Sequence, residues 1–171
     1  MKKVAVFGKP GSGKSTVSKA LALATDSPLH QLDSLVYKPN GEFVAREEFD
    51  IAHDNIMRSE HWVVDGLGPI SAFYERLEAA DVLVYIDLPY SVSYWFVTKR
   101  FLKGLFVKPE GWPDGSSVFK GTLNSYKTLK LCPKFWNEDF TSKLSENYNG
   151  KTVYIIQTVT ELNNFVSAYV K

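Results

Sequence analysis

Cysteine occurs once in the 171 residues, at Cys132, which excludes an internal disulfide framework and a zinc cluster built on cysteines. The three histidines, His30, His53 and His61, are scattered, and none falls in a metal-ligand spacing such as HExxH. Charge of either sign is not in excess: the net value of +1 excludes a global pull towards nucleic acid or an acidic membrane surface. No segment approaches the ~20 apolar residues that span a bilayer. The apolar run Val4 to Phe7 behind Met-Lys-Lys stops at Gly8, too short for the core of a signal peptide. A soluble, cytoplasmic protein is the expectation. Arginine is scarce too, with four in the chain: Arg46, Arg58, Arg76 and Arg100.

What is present suits a single folded domain over 1–171: 44% hydrophobic and 14% aromatic residues are enough to build one proper core. No repeat, low-complexity tract or linker divides it. Val4 to Phe7 reads as a short buried strand, followed by a glycine loop and a helix over about 14–24. Pro28 to Leu32 reads as a weaker strand ending at Asp33, and 46–60 as a helix carrying Phe49, Ala52, Ile56 and Met57 at helical spacing. Trp62 to Val64 is a third strand ending at Asp65-Gly66, and Ile70, Phe73, Tyr74 and Leu77 mark the next helix. Val82 to Ile86 is apolar without alternation, as in a parallel strand covered on both faces. A helix over about 91–105 leads into KPEGWPDG, Lys108 to Gly115, a Pro/Gly-rich loop. Helices over about 116–131 and 134–145 are separated by Cys132-Pro133. Val153 to Ile156 is the last strand, and Thr158-Val159-Thr160-Glu161 is a capping box opening a helix that turns Leu162, Phe165, Val166 and Tyr169 inward. Strands alternating with helices predict an α/β fold with a parallel sheet.

The strongest signal is Gly8-Lys9-Pro10-Gly11-Ser12-Gly13-Lys14-Ser15, which fits G-x-x-x-x-G-K-[ST] at every fixed position and runs from a strand into a helix. Glycines let successive backbone N–H groups curl around an anion, and the helix N-terminus adds its unsatisfied N–H groups and positive dipole end. Gly8, Pro10, Gly11, Ser12, Gly13, Lys14, Ser15 and Thr16 are therefore the candidate nucleotide-binding residues. Lys14 would reach the β- and γ-phosphates, and the Ser15 hydroxyl would ligate Mg²⁺. The dinucleotide fingerprint G-x-G-x-x-G fails, because Thr16 stands in place of the third glycine. The base-reading N-K-x-D of GTPases is absent, which favours ATP over GTP.

GSGKST, Leu32-Asp33, the WVVDG of Trp62 to Gly66, Arg76 to Asp81, the IDLP of Ile86 to Pro89 and Lys99-Arg100 follow one another as in adenylate-kinase-like P-loop proteins. The set is most similar to the bacterial group described as topology-modulation or adenylate-kinase-related proteins. The resemblance implies a P-loop NTPase fold: a five-stranded parallel sheet in the order 2-3-1-4-5, flanked by helices, with a substrate-side flap and a mobile lid, here about 103–122.

Within that frame, Asp33 at a strand end faces the acceptor and can orient a hydroxyl and take its proton, a helix or turn cap being the alternative. Asp65 would hold a Mg²⁺-bound water beside Ser15, the alternative being ordinary Asp-Gly turn chemistry. Asp87, before Leu88-Pro89, suits a helix-start or turn role. Arg100 stands by resemblance at the base of the lid, positioned to meet transferring phosphate. From Lys99 to Lys134 there are eight Lys and Arg against Glu110 and Asp114, a charge excess suited to closing over polyphosphate or simply to a solvated face. Of the tryptophans, Trp62 and Trp95 are expected in the core, and Trp112 in the loop is a candidate ligand contact.

The chain departs from adenylate kinases proper in two places. Asp65-Gly66-Leu67-Gly68-Pro69 lacks the arginine that clamps an acceptor phosphate, and Phe96 stands four residues before Arg100, where an arginine is common. Since bidentate phosphate recognition favours arginine, a hydroxyl-bearing small molecule suits the acceptor site better than a nucleoside monophosphate. The expected function is an ATP- and Mg²⁺-dependent phosphotransferase acting on a small molecule, with Lys14, Asp33 and Arg100 as catalytic residues and Ser15 and Asp65 at the metal. The alternative is a nucleotide-binding regulatory ATPase read by a protein partner. Nucleic acid is not an expected partner, and monomer and dimer are equally compatible with the chain.

Overall fold

A computed structural model describes residues 2–36, 38, 42–104 and 118–169. Strand β1 (Lys3–Gly8) leads through the glycine loop to α1 (Lys14–Thr25), then β2 (Leu29–Gln31), α2 (Leu32–Val36) and α3 (Arg46–Arg58). Next come β3 (Trp62–Asp65), α4 (Ile70–Ala79), β4 (Val82–Ile86) and α5 (Tyr90–Gly104). After the undescribed 105–117 follow α6 (Val118–Leu131), a 3-10 turn (Cys132–Lys134), α7 (Glu138–Asn147), β5 (Thr152–Ile156) and α8 (Val159–Tyr169). The five strands pair in parallel in the order β2-β3-β1-β4-β5, as the resemblance implied.

The unalternated apolar strands have a direct physical reason. In β1, Ala5 and Phe7 join one core cluster while Val4 and Val6 join the other. In β4, Leu83 and Tyr85 face the first cluster, and Val82, Val84 and Ile86 the second. Successive side chains point to opposite faces, so a sheet covered on both sides needs apolar residues at every position. The first cluster is aromatic: Trp136 stacks on Tyr85 at 5.3 Å, and Phe7 meets Phe73 edge-on at 5.2 Å. Each such pair adds ~0.5–1.5 kcal/mol beyond its buried area. The second cluster seats α1 through Val17 and Leu21 and α8 through Leu162. The capping box of α8 forms as expected, with Thr158 N–H donating to Glu161 Oε2 at 3.3 Å and Glu161 N–H to Thr158 Oγ1 at 3.1 Å.

Three expectations are corrected. The second strand stops at Gln31, and Asp33 sits exposed in the first turn of the short helix α2 instead of ending the strand. The helix expected from Lys134 begins at Glu138, because the Asn137 side chain accepts the Phe140 N–H at 2.9 Å and fixes the N-cap there. Trp95 is 58% exposed rather than in the core. The inward face of α5 belongs to Ser93 and Val97, and residue 95 lies on the other side of the helix from both. Trp62 is fully buried, as expected. Most of the expected lid, with the loop 108–115 and Trp112, lies outside the described residues.

No helix among the described residues is long and apolar enough to cross a membrane.

Candidate nucleotide and phosphoryl-transfer site

The glycine loop is a tight fit between α5 and α8. Gly11 has φ of +69°, and a Cβ there would lie 2.5 Å from the Ser93 carbonyl oxygen and 2.8 Å from Val97 Cγ2. Gly13 is the N-cap of α1 at φ +89°, without a side-chain cap; Thr16 N–H donates to its carbonyl at 3.1 Å, and the N–H groups ahead of Thr16 are left for a ligand. Lys14 Nζ donates to the carbonyl of Lys9 at 2.8 Å, across the mouth of the loop.

The loop is also anchored from beneath. Lys9, at a variable position of the motif, is 2% exposed; its ammonium is ion-paired with Asp87 and lies 4.6 Å from the centre of the Tyr90 ring. The reason is register: Gly8 pairs with Ile86, so the next residue along each strand end, Lys9 and Asp87, are neighbours. Asp87 is therefore an ionic anchor of the loop, beyond the turn role its sequence position suggests. Only the strand pairing shows this, since nothing local in IDLP marks the partner.

At the ends of β1 and β3, Ser15 Oγ donates to Asp65 Oδ2 at 2.9 Å, and buried Ser18 Oγ lies 3.4 Å from the same oxygen. Asp65 Oδ1 is buried with no hydrogen-bond partner among the described residues. A carboxylate oxygen in that state, beside a serine hydroxyl and next to the loop, is a hard donor set of the kind that Mg²⁺ or its water shell takes. The residues fit the metal. No motif marks Ser18, but its spacing of three from Ser15 puts both hydroxyls on one face of α1.

Electrostatics tie the remaining candidates to this point. Burial holds the Lys14 pKa below the ordinary lysine value, while Asp65 and Asp33 pull it up and Arg100 pushes it down. Burial raises the Asp65 pKa, opposed by Lys14 and by the hydrogen bonds from Ser15 and Ser18. Burial lowers the Arg100 pKa and Asp33 pulls it back. Lys14 thus feels Asp65, Asp33 and Arg100, and Asp33 acts also on Asp65 and Arg100, although the four are spread over 87 positions. Arg100 Nη2 also donates to Ser125 Oγ at 3.0 Å, tying α5 to α6 on either side of 105–117. Cys132 is buried too; burial raises its pKa, with Lys14 and Lys9 acting in the other direction.

Comparison with protein-family models and with curated proteins returned no match. Among solved structures, shikimate kinase from Acinetobacter baumannii in complex with shikimate is similar at TM-score 0.56 and 17% identity, covering 100% of this chain and 96% of that one. Shikimate kinase from Bacteroides thetaiotaomicron is similar at TM-score 0.52 and 17% identity, over 98% and 95%. A gluconokinase from Sinorhizobium meliloti 1021 is similar at TM-score 0.51 and 20% identity, over 97% and 87%. The fold, a five-stranded parallel sheet flanked by helices, is that of the P-loop kinases.

Proposed function

We propose that the protein is an ATP- and Mg²⁺-dependent phosphotransferase that moves the γ-phosphoryl group to a hydroxyl of a small molecule. The observation that carries the reading is the half-satisfied Asp65 carboxylate beside the Ser15 hydroxyl, where the glycine loop enters α1. The names of the structural neighbours, kinases of shikimate and gluconate, agree with a small-molecule acceptor.

The backbone N–H groups from Pro10 onward, proline itself excepted, and Lys14 would hold the phosphates, and Ser15 with Asp65 would hold Mg²⁺, which supplies charge neutralisation on the β- and γ-oxygens when bound. Asp33 orients the acceptor hydroxyl and takes its proton as the oxygen bonds to the γ-phosphorus and the bond to the ADP oxygen breaks. Arg100 stabilises the charge on the phosphoryl in flight from its place between α5 and α6. Arginine bookkeeping favours a hydroxyl acceptor over a nucleoside monophosphate. Arg46 is committed to Asp50 at 2.8 Å and to Ser71 at 2.8 Å, and Arg76 is buried beneath the turn after β3. Arg58 ends α3 shortly before the first residue of β3, whereas Asp65 ends that strand.

ADP production from ATP·Mg²⁺ by the wild type and Lys14→Ala, alone and with pools of nucleosides, nucleoside monophosphates and polyhydroxy metabolites, tests this. Stimulation of the wild type alone by a hydroxyl pool is the expected result. Nucleotide binding without stimulation by any pool would overturn it in favour of a regulatory ATPase.

A further inference from the structure

Arg76 is 1% exposed, although arginine is almost never fully buried without partners. Its partners are backbone oxygens: Nη2 donates to the Gly66 carbonyl at 3.3 Å and to the Leu67 carbonyl. Those carbonyls belong to the turn that follows Asp65. The turn has Gly66 at φ +119° and Gly68 at φ +61°, and a methyl group placed on either glycine would lie 3.2 Å from the Leu32 side chain. Leu32 opens α2, immediately before Asp33. The guanidinium thus props a turn on which the acceptor-side helix rests.

The other side of the guanidinium meets His53, also 1% exposed, with Nη1 3.4 Å from Nε2. A guanidinium has only N–H donors, so the contact is a hydrogen bond only if Nε2 carries no proton. The ring proton then lies on Nδ1, which faces Glu75 Oε2 at 3.6 Å. The imidazole is fixed in this plane by stacking on Phe49, with centroids 5.7 Å apart and planes within 16°. A second proton on the ring would aim an N–H at the guanidinium and place two cations in contact in a buried site. The groups acting on the ring are Arg76 and Glu75 from α4 and Asp54 and Asp50 from its own helix. Burial and Arg76 lower its pKa, and the three carboxylates oppose them. His53, Asp54 and Glu75 also come close enough together to hold a cation, but the guanidinium on the same imidazole works against one.

We infer that His53 and Arg76 are a buried positioning pair that holds the turn after β3, and through Leu32 the Asp33 end of the site, and that the pair holds only while His53 is neutral. The assignment of the turn to the acceptor side rests on the phosphotransferase reading; the pair itself is testable without turnover.

The experiment is amide hydrogen exchange in the turn at Gly66, whose N–H donates to the Val6 carbonyl at 3.1 Å, referred to Val63 and Val64 of β3, at pH 7.5 and 5.5, with ¹⁵N NMR of the His53 ring. In the wild type the ring is expected in the Nδ1–H form at pH 7.5. On acidification the turn should lose protection about tenfold more than β3 does. His53→Gln, whose amide oxygen can accept from Arg76, should keep the turn protected at both pH values. Arg76→Lys should lose turn protection at both. An Nε2–H tautomer, an equal acid loss in His53→Gln, or Zn²⁺ raising protection of the wild-type turn would each overturn the inference. The tautomer is read on the wild type, so the test survives variants that fail to fold. Once an acceptor is known, His53→Gln should flatten the acid limb of kcat/KM for it with nucleotide affinity unchanged. If no acceptor stimulates turnover while the exchange result holds, the phosphotransferase reading fails and the positioning pair stands.

Discussion

Ser15 Oγ donates to Asp65 Oδ2 at 2.9 Å, joining the first turn of α1 to the end of β3 across fifty positions of sequence. The bond occupies one carboxylate oxygen and leaves the other buried and without a hydrogen-bond partner among the described residues. Such an arrangement costs stability and is retained where a ligand completes it.

Asp65→Asn should therefore stabilise the unliganded protein and abolish its response to ATP·Mg²⁺. Burial raises the Asp65 pKa, so the folded state holds the proton more tightly than the unfolded chain. The penalty is absent below the ordinary carboxylate value and grows as pH rises through the folded pKa. At pH 7 the asparagine removes it, and each kcal/mol recovered raises Tm by about 2–4 °C in a domain of this size. Thermal unfolding with and without ATP·Mg²⁺ measures both halves, and a fall in the unliganded Tm would contradict the account.

Lys14→Ala should leave the unliganded Tm unchanged or higher, because burial already disfavours the charged ammonium. Turnover should fall by about 10²–10³, as when a preorganised group on the transferring charge is removed. A correctly folded variant with near-normal turnover would remove Lys14 from the mechanism.

The pair beneath the loop behaves differently. Lys9→Met leaves Asp87 facing an apolar neighbour; breaking a fully buried pair from one side costs roughly 3–5 kcal/mol, and the 23% exposure of Asp87 places the expected loss below that range. The double variant Lys9→Met with Asp87→Leu should recover most of that loss. Urea unfolding of the two single variants and the double variant gives the coupling, and strict additivity would mean that the contact contributes nothing.

Gly11→Ala tests the fit of the loop. At φ +69° a side chain is strained, and its methyl would meet the Ser93 carbonyl and Val97 at 2.5 and 2.8 Å. The expected outcome is a loss of at least ~1–3 kcal/mol in stability together with loss of nucleotide binding. Retained affinity for ATP, by calorimetry, would show that the loop can reshape around the substitution.

What the sequence by itself determined is what local physics carries. The spacing Gly8 to Ser15 specifies an anion loop because glycine conformations and a helix start act within a few residues. The unbroken apolar run Val82 to Ile86 specifies a strand covered on both faces, and Thr158 with Glu161 specifies where α8 begins. Asp33 and Asp65 are legible as candidates because parallel strands deliver their ends to one edge, and Arg100 only through the resemblance. What only the tertiary structure decided depends on register and packing. It placed Asp33 in a helical turn beyond its short strand, turned Trp95 to solvent because Ser93 and Val97 take the inner face of α5, and paired Lys9 with Asp87 through the alignment of Gly8 with Ile86. It also buried Arg76 against His53 and the carbonyls of Gly66 and Leu67. Contacts between residues this distant in sequence leave no local pattern, because their energy exists only once the elements that bear them have packed.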